Sequence, residues 1–298
     1  MKEPILVTGA AGFVGSHLVP LLLKNQYRII AIVRNNQEAQ TVDTRCQIVT
    51  ADLATPGDWQ NKIPRESIII HLAAEIAAKT EEPFKRNNTL ATKNLIDAAK
   101  KAKAKKIILF SSAAVTSIRL DWYAKTKKEK EQIVSSSKIP YHILRPSMIY
   151  GPGDTKNIGW LISMVKKLPA IPLPGGGNFG RQPVYVEDIC QVVLKLISGN
   201  YPRKIYEIHG AEYVTMRQMV KVIKKSLGLR KPTIVVPLFL LETAIWLSEK
   251  VLPNPKFTTD QIKSLTSGEK FKGDKWWEIF DIIPTKFEAG VAQMVKYK

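Results

Sequence analysis

Tyr123-Ala-Lys-Thr-Lys127 places a phenol and an ammonium four residues apart at the start of a helical stretch, so the two side chains share one face. A lysine in that position is expected to depress the phenol pKa, making Tyr123 an acid/base for the oxygen of a carbinol. Just upstream, Phe110-Ser111-Ser112 ends an apolar run. That sets a hydroxyl at the carboxyl edge of a sheet, the edge where open α/β sheets bind their ligands. The spacing of Tyr123 and Lys127 alone equally fits a surface helix carrying a partly buried tyrosine.

A second stretch raises the chemical reading above that alternative. Residues 7–15 read Val-Thr-Gly-Ala-Ala-Gly-Phe-Val-Gly. The apolar run Ile5–Val7 predicts a buried strand, and Phe13–Lys24 carries apolar residues at helical spacing. Gly9, Gly12 and Gly15 lie at the turn between them, where backbone N–H groups can approach a pyrophosphate at a helix N-terminus. A dinucleotide is the expected ligand.

These residues need a scaffold, and the chain supplies one in its alternation. Arg28–Val33, Gln47–Ala51, Ser67–Leu72, Lys106–Ser111 and Tyr141–Leu144 are short apolar runs, with helical stretches at Phe84–Lys103 and Tyr123–Ser136 among them. Apolar strands separated by helices predict an α/β fold with a doubly wound, Rossmann-type parallel sheet. After Arg145 the alternation weakens and Gly and Pro become frequent. The expected organisation is a dinucleotide-binding core over residues 1–150 carrying the Tyr/Lys helix. Residues 151–298 would form a smaller substrate-capping region interwoven with it. Pro237–Leu252 is strongly apolar but too short and too interrupted by Glu242 and Glu249 to span a bilayer; burial is the expectation, with an interfacial helix as the alternative.

The 298 residues carry 45 Lys and Arg against 26 Asp and Glu, a net charge of +19. The lysine-rich stretches at 100–106 and 125–130 read first as solvated surface. An attraction to anionic ligands or a membrane surface comes second, allowing peripheral membrane contact. No nucleic-acid module is visible, so nucleic acid is not an expected partner. Cys46 and Cys190 read as structural thiols, and His17, His142 and His209 as structural too; no metal site is expected. With Lys2-Glu3-Pro4 leading straight into the first strand, a cytoplasmic location is expected.

Together these motifs resemble the extended short-chain dehydrogenase/reductases, specifically the nucleoside-diphosphate-sugar epimerase/dehydratase group, over nearly the whole length. Thr8-Gly9-Ala-Ala11-Gly12-Phe13-Val14-Gly15 is similar to that family's TGxxGxxG, and Asp52-Leu53 to its adenine-contacting position. His71-Leu72-Ala73-Ala74 resembles the stretch lining the cofactor groove, and Asn88–Asn94 the NxxGTxN helix, with Ala91 in place of its glycine. Ser112, Tyr123 and Lys127 match the catalytic Ser-Tyr-Lys. Arg145-Pro146-Ser-Met148-Ile-Tyr150-Gly151-Pro152 resembles the segment closing over the nicotinamide. The resemblance implies that Arg181, opening an R-x-x-V-x-V-x-D segment, meets the diphosphate of a nucleotide sugar. Its C-terminal half is similar to relatives of the dehydrogenase-like accessory subunit of respiratory complex I. One departure stands out: only residues 113–122 separate Ser112 from Tyr123, where the family carries a longer loop shaping the substrate pocket.

The second strand ends in Val33-Arg34-Asn35-Asn36 with no carboxylate at its tip, so NADP(H) is favoured over NAD(H), with Arg34 meeting the 2′-phosphate. The expected activity is hydride transfer at a carbinol or ketone carbon of a nucleotide-linked sugar, with oxidoreductase or epimerase outcome. Ala113 and Ala114 stand where dehydratases carry an Asp-Glu pair, which disfavours sugar dehydration. Two alternatives remain: a reductase of an apolar alcohol or ketone (steroid-, isoprenoid- or quinone-like), and a non-catalytic NADP(H)-binding assembly protein. Family resemblance also implies a homodimer through the Phe84–Lys103 and Tyr123–Ser136 helices.

Overall fold

The computed structural model describes residues 2–117, 121–202, 204–251, 266, 268, 270–271 and 273–297. Seven parallel strands form one sheet: β1 (Ile5–Thr8), β2 (Ile29–Val33), β3 (Gln47–Thr50), β4 (Ile68–His71), β5 (Lys106–Phe110), β6 (Tyr141–Pro146) and β11 (Ile205–Ile208). Their order is β11-β6-β5-β4-β1-β2-β3. The order reverses beside β1, which pairs with β2 on one side and β4 on the other, and this opens a crevice at the carboxyl ends of β1 and β4.

The central strands are apolar on both faces because helices cover both. Leu6, Ile30, Ile69 and Ile107 pack in one core with Leu95, Ile96 and Val134. Those last three come from α4 (Ala91–Lys101) and α5 (Trp122–Ser135). Ile5, Val7 and Ile108 alternate with them and are equally buried. Helix α1 spans Phe13–Lys24, with the bounds its periodicity predicts, and packs against α7 (Val186–Ser198). The short α2 (Asn36–Ala39) follows β2.

The expected helix over Phe84–Lys103 is interrupted. Helix α3 (Glu81–Phe84) runs into one π-helical stretch, Lys85–Leu90, before α4 begins. The widened turn carries Asn88, whose tertiary bonds are described below.

The chain divides into two compact units. The first holds Met1–Ser147, Val186–Ile208 and Trp276–Ile282; the second holds Met148–Tyr185, His209–Lys275 and Ile283–Lys298. Among the described residues of the second unit there are three two-stranded ribbons. β7 (Ile149–Tyr150) pairs with β10 (Val184–Tyr185), β8 (Ile171–Pro174) with β13 (Thr233–Val236), and β9 (Gly180–Arg181) with β12 (Val214–Thr215). Helices α6 (Ile158–Lys167) and α8 (Met216–Ser226) contribute to a core around Tyr150, Tyr185 and Phe287.

Helix α9 spans Leu238–Val251, close to the apolar segment in the sequence, but the expectation of burial is corrected. Ile245 is buried, whereas Phe239, Leu240, Trp246 and Leu247 stand exposed. Mean hydropathy reports how apolar a segment is, not how many of its sides are covered.

Candidate active site

The turn after β1 is held in a shape that side chains oppose. Gly9 has φ +72°, and a Cβ there would lie 2.7 Å from the backbone nitrogen of Ala73. A Cβ on Gly15 would come within 2.3 Å of the Ala10 carbonyl oxygen. The Gly12 N–H donates to the Gly9 carbonyl at 3.0 Å, closing the turn through Ala10 and Ala11. Helix α1 then begins at Phe13 and Val14 with no side-chain cap at Gly12 and no acidic residue in its first turn. Its leading N–H groups therefore meet no competing carboxylate in the helix's first turn, the condition an anion at that end requires. These features fit the pyrophosphate of a dinucleotide.

The loop after β4 forms the neighbouring wall. The Thr8 hydroxyl accepts from the Ala73 N–H at 3.3 Å, and the Ala73 carbonyl accepts from the Lys130 ammonium at 2.7 Å. Leu72, Ala73 and Ala74 are half-buried along it. His71 lies beneath, its ring nitrogens 2.7 Å from Thr8 Oγ1 and 2.9 Å from Thr92 Oγ1. Burial, reinforced by Lys130 and Lys127, pushes its pKa well below the ordinary value, so the imidazole is neutral.

Asn88 differs from its expected cofactor contact. Its Oδ1 accepts from the Glu75 N–H at 2.8 Å, and its Nδ2 donates to the Glu75 carbonyl and to Thr126 Oγ1, both at 3.0 Å. With both donors used and the side chain fully buried, Asn88 ties the β4 loop to α5. Asp52 is similarly engaged. It pairs with Arg86 and accepts from the Ala54 N–H at 2.9 Å. Partial burial pushes its carboxyl up, but the Arg86 and Ala54 bonds together hold it below its ordinary value. Leu53 beside it is buried, and its carbonyl accepts from Asn94 at 3.0 Å. Arg34, after β2, is exposed; its Nε donates to Glu38 Oε1 at 3.0 Å and its N–H to Glu38 Oε2 at 2.8 Å.

Ser112, Tyr123 and Lys127 converge at the end of β5. Ser112 leaves the strand and caps the short turn Ala113–Thr116, accepting from the Ala114 N–H at 3.2 Å. The Asp121 carboxylate caps α5 by accepting from the Ala124 N–H at 2.7 Å, which sets Tyr123 in the first turn. The Ser112 side chain lies near enough to the Tyr123 phenol to favour its ionised form. Lys127, one turn on, donates to the Phe110 carbonyl at 2.8 Å and lies 5.6 Å from the centre of the Tyr123 ring. Beside them, Ser111 Oγ is buried with no hydrogen-bond partner among the described residues.

The spacing predicted a phenol drawn down by Lys127, and the direction found is the opposite. Burial pushes the Tyr123 pKa up, the nearby Ser112 side chain partly opposes this, and Asp121 pushes it further up. Lys127 is itself pushed down to about 8 by burial, with Glu131 opposing. Its ammonium is directed to a backbone carbonyl, and Glu131 in turn is bound by Arg145 at 2.6 and 2.9 Å. In this arrangement Tyr123 is a protonated acid, suited to giving a proton to a developing alkoxide.

The lysine run at 125–130 is not uniformly solvated, which corrects the surface reading there. Lys125 and Lys128 are exposed, but Lys127 and Lys130 are buried three residues apart on one helical face. Sequence reasoning missed Lys130 as part of the site's frame, although its i+3 relation to Lys127 carried the signal.

Pro146 ends β6 in the first unit. Met148 and Arg181 belong to the second unit, Arg181 on β9 paired with Val214. Among the described residues no group of three or more His, Cys, Asp or Glu is placed to hold a metal. Nor is any described helix long and apolar enough to cross a membrane. Cys46 and Cys190 are buried free thiols, both pushed up in pKa by burial.

Residues 5–208 match the model of the NAD dependent epimerase/dehydratase family. The chain is 35% identical over 170 residues to ceramide reductase of Caulobacter vibrioides, covering 57% of this chain. That match spans about half of the relative's length, 53%. It is 27% identical over 268 residues to UDP-glucose 4-epimerase of Vibrio cholerae, covering 80% of this chain and 79% of that protein. Among solved structures, the UDP-glucose 4-epimerase of Thermotoga maritima with UDP-glucose superposes with a TM-score of 0.77 at 19% identity, covering 99% of this chain and 98% of that one. At that identity the likeness is one of fold.

Proposed function

The chain belongs to the NAD dependent epimerase/dehydratase family, and from that premise we propose that it transfers hydride between a nicotinamide dinucleotide and a carbinol or ketone carbon. The placement of Ser112 at the end of β5 near Tyr123, whose ring centre lies 5.6 Å from the buried Lys127 ammonium, carries this reading. Bound in the crevice, the nicotinamide supplies or accepts the hydride. Tyr123 exchanges the proton at the substrate oxygen, and Ser112 donates a hydrogen bond to that oxygen as charge develops. Lys127, bonded to the Phe110 carbonyl and 5.6 Å from the Tyr123 ring centre, would keep a positive charge beside the reacting groups. Gly9, Ala11, Gly12, Phe13 and Val14 would hold the pyrophosphate. Leu72, Ala73 and Ala74 would line the dinucleotide, with Pro146 and Met148 at the nicotinamide end. Asp52 and Leu53 would lie at the adenine, and Asn88 would act through the loop it pins.

NADP(H) is the favoured cofactor. Glu38 engages Arg34 through Nε and leaves both Nη groups for a 2′-phosphate. Arg34→Ala is expected to weaken NADP⁺ binding by about tenfold or more, the worth of a charge-assisted bond. NAD⁺ affinity should stay unchanged. Equal losses for the two cofactors in parallel titrations would remove Arg34 from the assignment.

A nucleotide-linked sugar is the leading substrate class, with Arg181 meeting its diphosphate; the epimerase relative aligned over 80% of the chain supports it. The test is calorimetric titration of UDP into protein saturated with NADP⁺. Saturable binding lost in Arg181→Ala supports a nucleotide-diphosphate site. No binding, with cofactor affinity intact, turns the assignment to the second class. That class is an apolar alcohol or ketone, favoured by the 35% identity to ceramide reductase and by the exposed apolar face of α9.

A further inference from the structure

Helix α9 carries a row of large apolar residues on the side that faces water, while Leu238, Leu241 and Ile245 lie on its covered side. At about 100° per residue, positions 239, 240, 243, 246, 247 and 250 fall on one side of a helix. That side holds Phe239, Leu240, Trp246 and Leu247, between 47% and 66% exposed. The opposite side, which carries Glu242 and Glu249, is the half-buried one. A surface helix usually turns a charged or polar face to solvent, and this row departs from that.

The apolar surface continues beyond the helix. Ile234 and Val235 on β13 are exposed at 56% and 54%; they point to opposite faces of the ribbon, so one of the two extends the α9 surface. A Cβ on Gly175, in the turn that ends β8, would lie 3.0 Å from Leu238 Cγ, so the start of α9 rests against the β8–β13 ribbon. A contiguous exposed apolar patch of this kind marks an interaction surface.

The charge around it selects the occupant. Residues 213–241 contain six Lys and Arg and no Asp or Glu, and residues 155–186 contain four and none. Lys231 donates to the carbonyls of Val165 and Lys166 at 3.0 and 2.7 Å. This gathers Lys166, Lys167, Arg230 and Lys231 at one end of the ribbon. At the far end of α9 the Lys250 ammonium lies 3.9 Å over the Trp246 ring. Trp beside Lys on an apolar face suits the boundary between acyl chains and headgroups, with the lysine reaching outward to phosphate. A second copy of the chain would bring another +19 against this basic border.

We propose that the exposed face of α9 and β13 docks peripherally on an anionic phospholipid bilayer. Its apolar side chains enter the acyl boundary, and the bordering Lys and Arg meet lipid phosphate. The proposal rests on this helix and ribbon, not on the hydride chemistry or either substrate class.

The full chain is sedimented with phosphatidylcholine vesicles, with and without about 30% phosphatidylglycerol, in low and high salt. Binding is expected only with the anionic lipid and is expected to weaken in high salt. The double substitution Phe239→Ser/Leu247→Ser should reduce it by about tenfold or more. Acyl-brominated lipid provides a second reading that depends on no solubilising variant: it should quench tryptophan emission, and Trp246→Phe should abolish most of that quenching. Absence of sedimentation with anionic vesicles overturns the proposal. So does binding that survives the double substitution without quenching, because bulk charge alone would then explain it. A lipid-free dimer converted to monomer by the same substitution also overturns it, assigning the face to a second copy. Dinucleotide titration of the same samples separates this outcome from any failure of the hydride chemistry.

Discussion

Tyr123→Phe is expected to lower turnover by about 10²–10⁴-fold, the range that general acid–base catalysis supplies. Dinucleotide affinity should be retained. The substitution removes one oxygen from a side chain in the first turn of α5 and leaves the Asp121 cap untouched. It also leaves Lys127 bonded to the Phe110 carbonyl. What disappears is the proton donor beside Ser112. Because burial pushes the phenol pKa up, Tyr123 carries its proton at neutral pH and is ready to act in the reductive direction. Steady-state kinetics beside a fluorescence titration of NADPH separate the two effects. A variant with wild-type turnover would end the acid–base assignment.

Gly9→Ala is expected to weaken dinucleotide binding by about thirtyfold or more. Left-handed backbone at a non-glycine residue costs about 1–2 kcal/mol. Here the added carbon would also meet backbone, 2.7 Å from Ala73 N and 3.0 Å from Ala73 Cα. That loop is held by Thr8 on one side and Lys130 on the other, so it yields only with rearrangement. Overpacking of this sort adds about 1–3 kcal/mol, and every 1.4 kcal/mol or so is tenfold in affinity. Gly228→Ala is the matched control. Gly228 has φ +66° with nothing within 4 Å of its would-be Cβ, so only the backbone strain applies. A modest loss of Tm with unchanged cofactor binding is expected there. Equal behaviour of the two variants would detach the glycine turn from the dinucleotide.

Six strands of the sheet were legible as short apolar runs separated by helices, the central ones buried on both faces; the edge strand β11, with Glu207 in it and Ile205 exposed, was not read. Helix α1 was legible to its bounds because the glycine turn starts it. The π-helical stretch at Lys85–Leu90 was not, since the bonds of Asn88 to Glu75 and Thr126 reach residues 13 and 38 positions away. Tyr123 and Lys127 were found by spacing, yet the direction of the phenol shift was not. Spacing identifies a neighbour; desolvation depends on everything packed around it. Lys130 shows the same limit in another form. In sequence it is one lysine of a charged run, and only the position of the Ala73 carbonyl makes it a buried strut. In α9 the pattern was read for content, and the uncovered side emerged only once Ile245 was seen to be buried while Phe239, Leu240, Trp246 and Leu247 were not.

Hydride transfer itself is tested most directly with NADPH deuterated at the transferring position of C4. The protein is incubated with a UDP-linked 4-keto sugar and, separately, with a long-chain ketone, and each product is examined by mass spectrometry. Incorporation of one deuterium at the new carbinol carbon of one product, lost in Tyr123→Phe, is expected. Cofactor bound tightly with no deuterium in either product would contradict hydride transfer as the function of this chain.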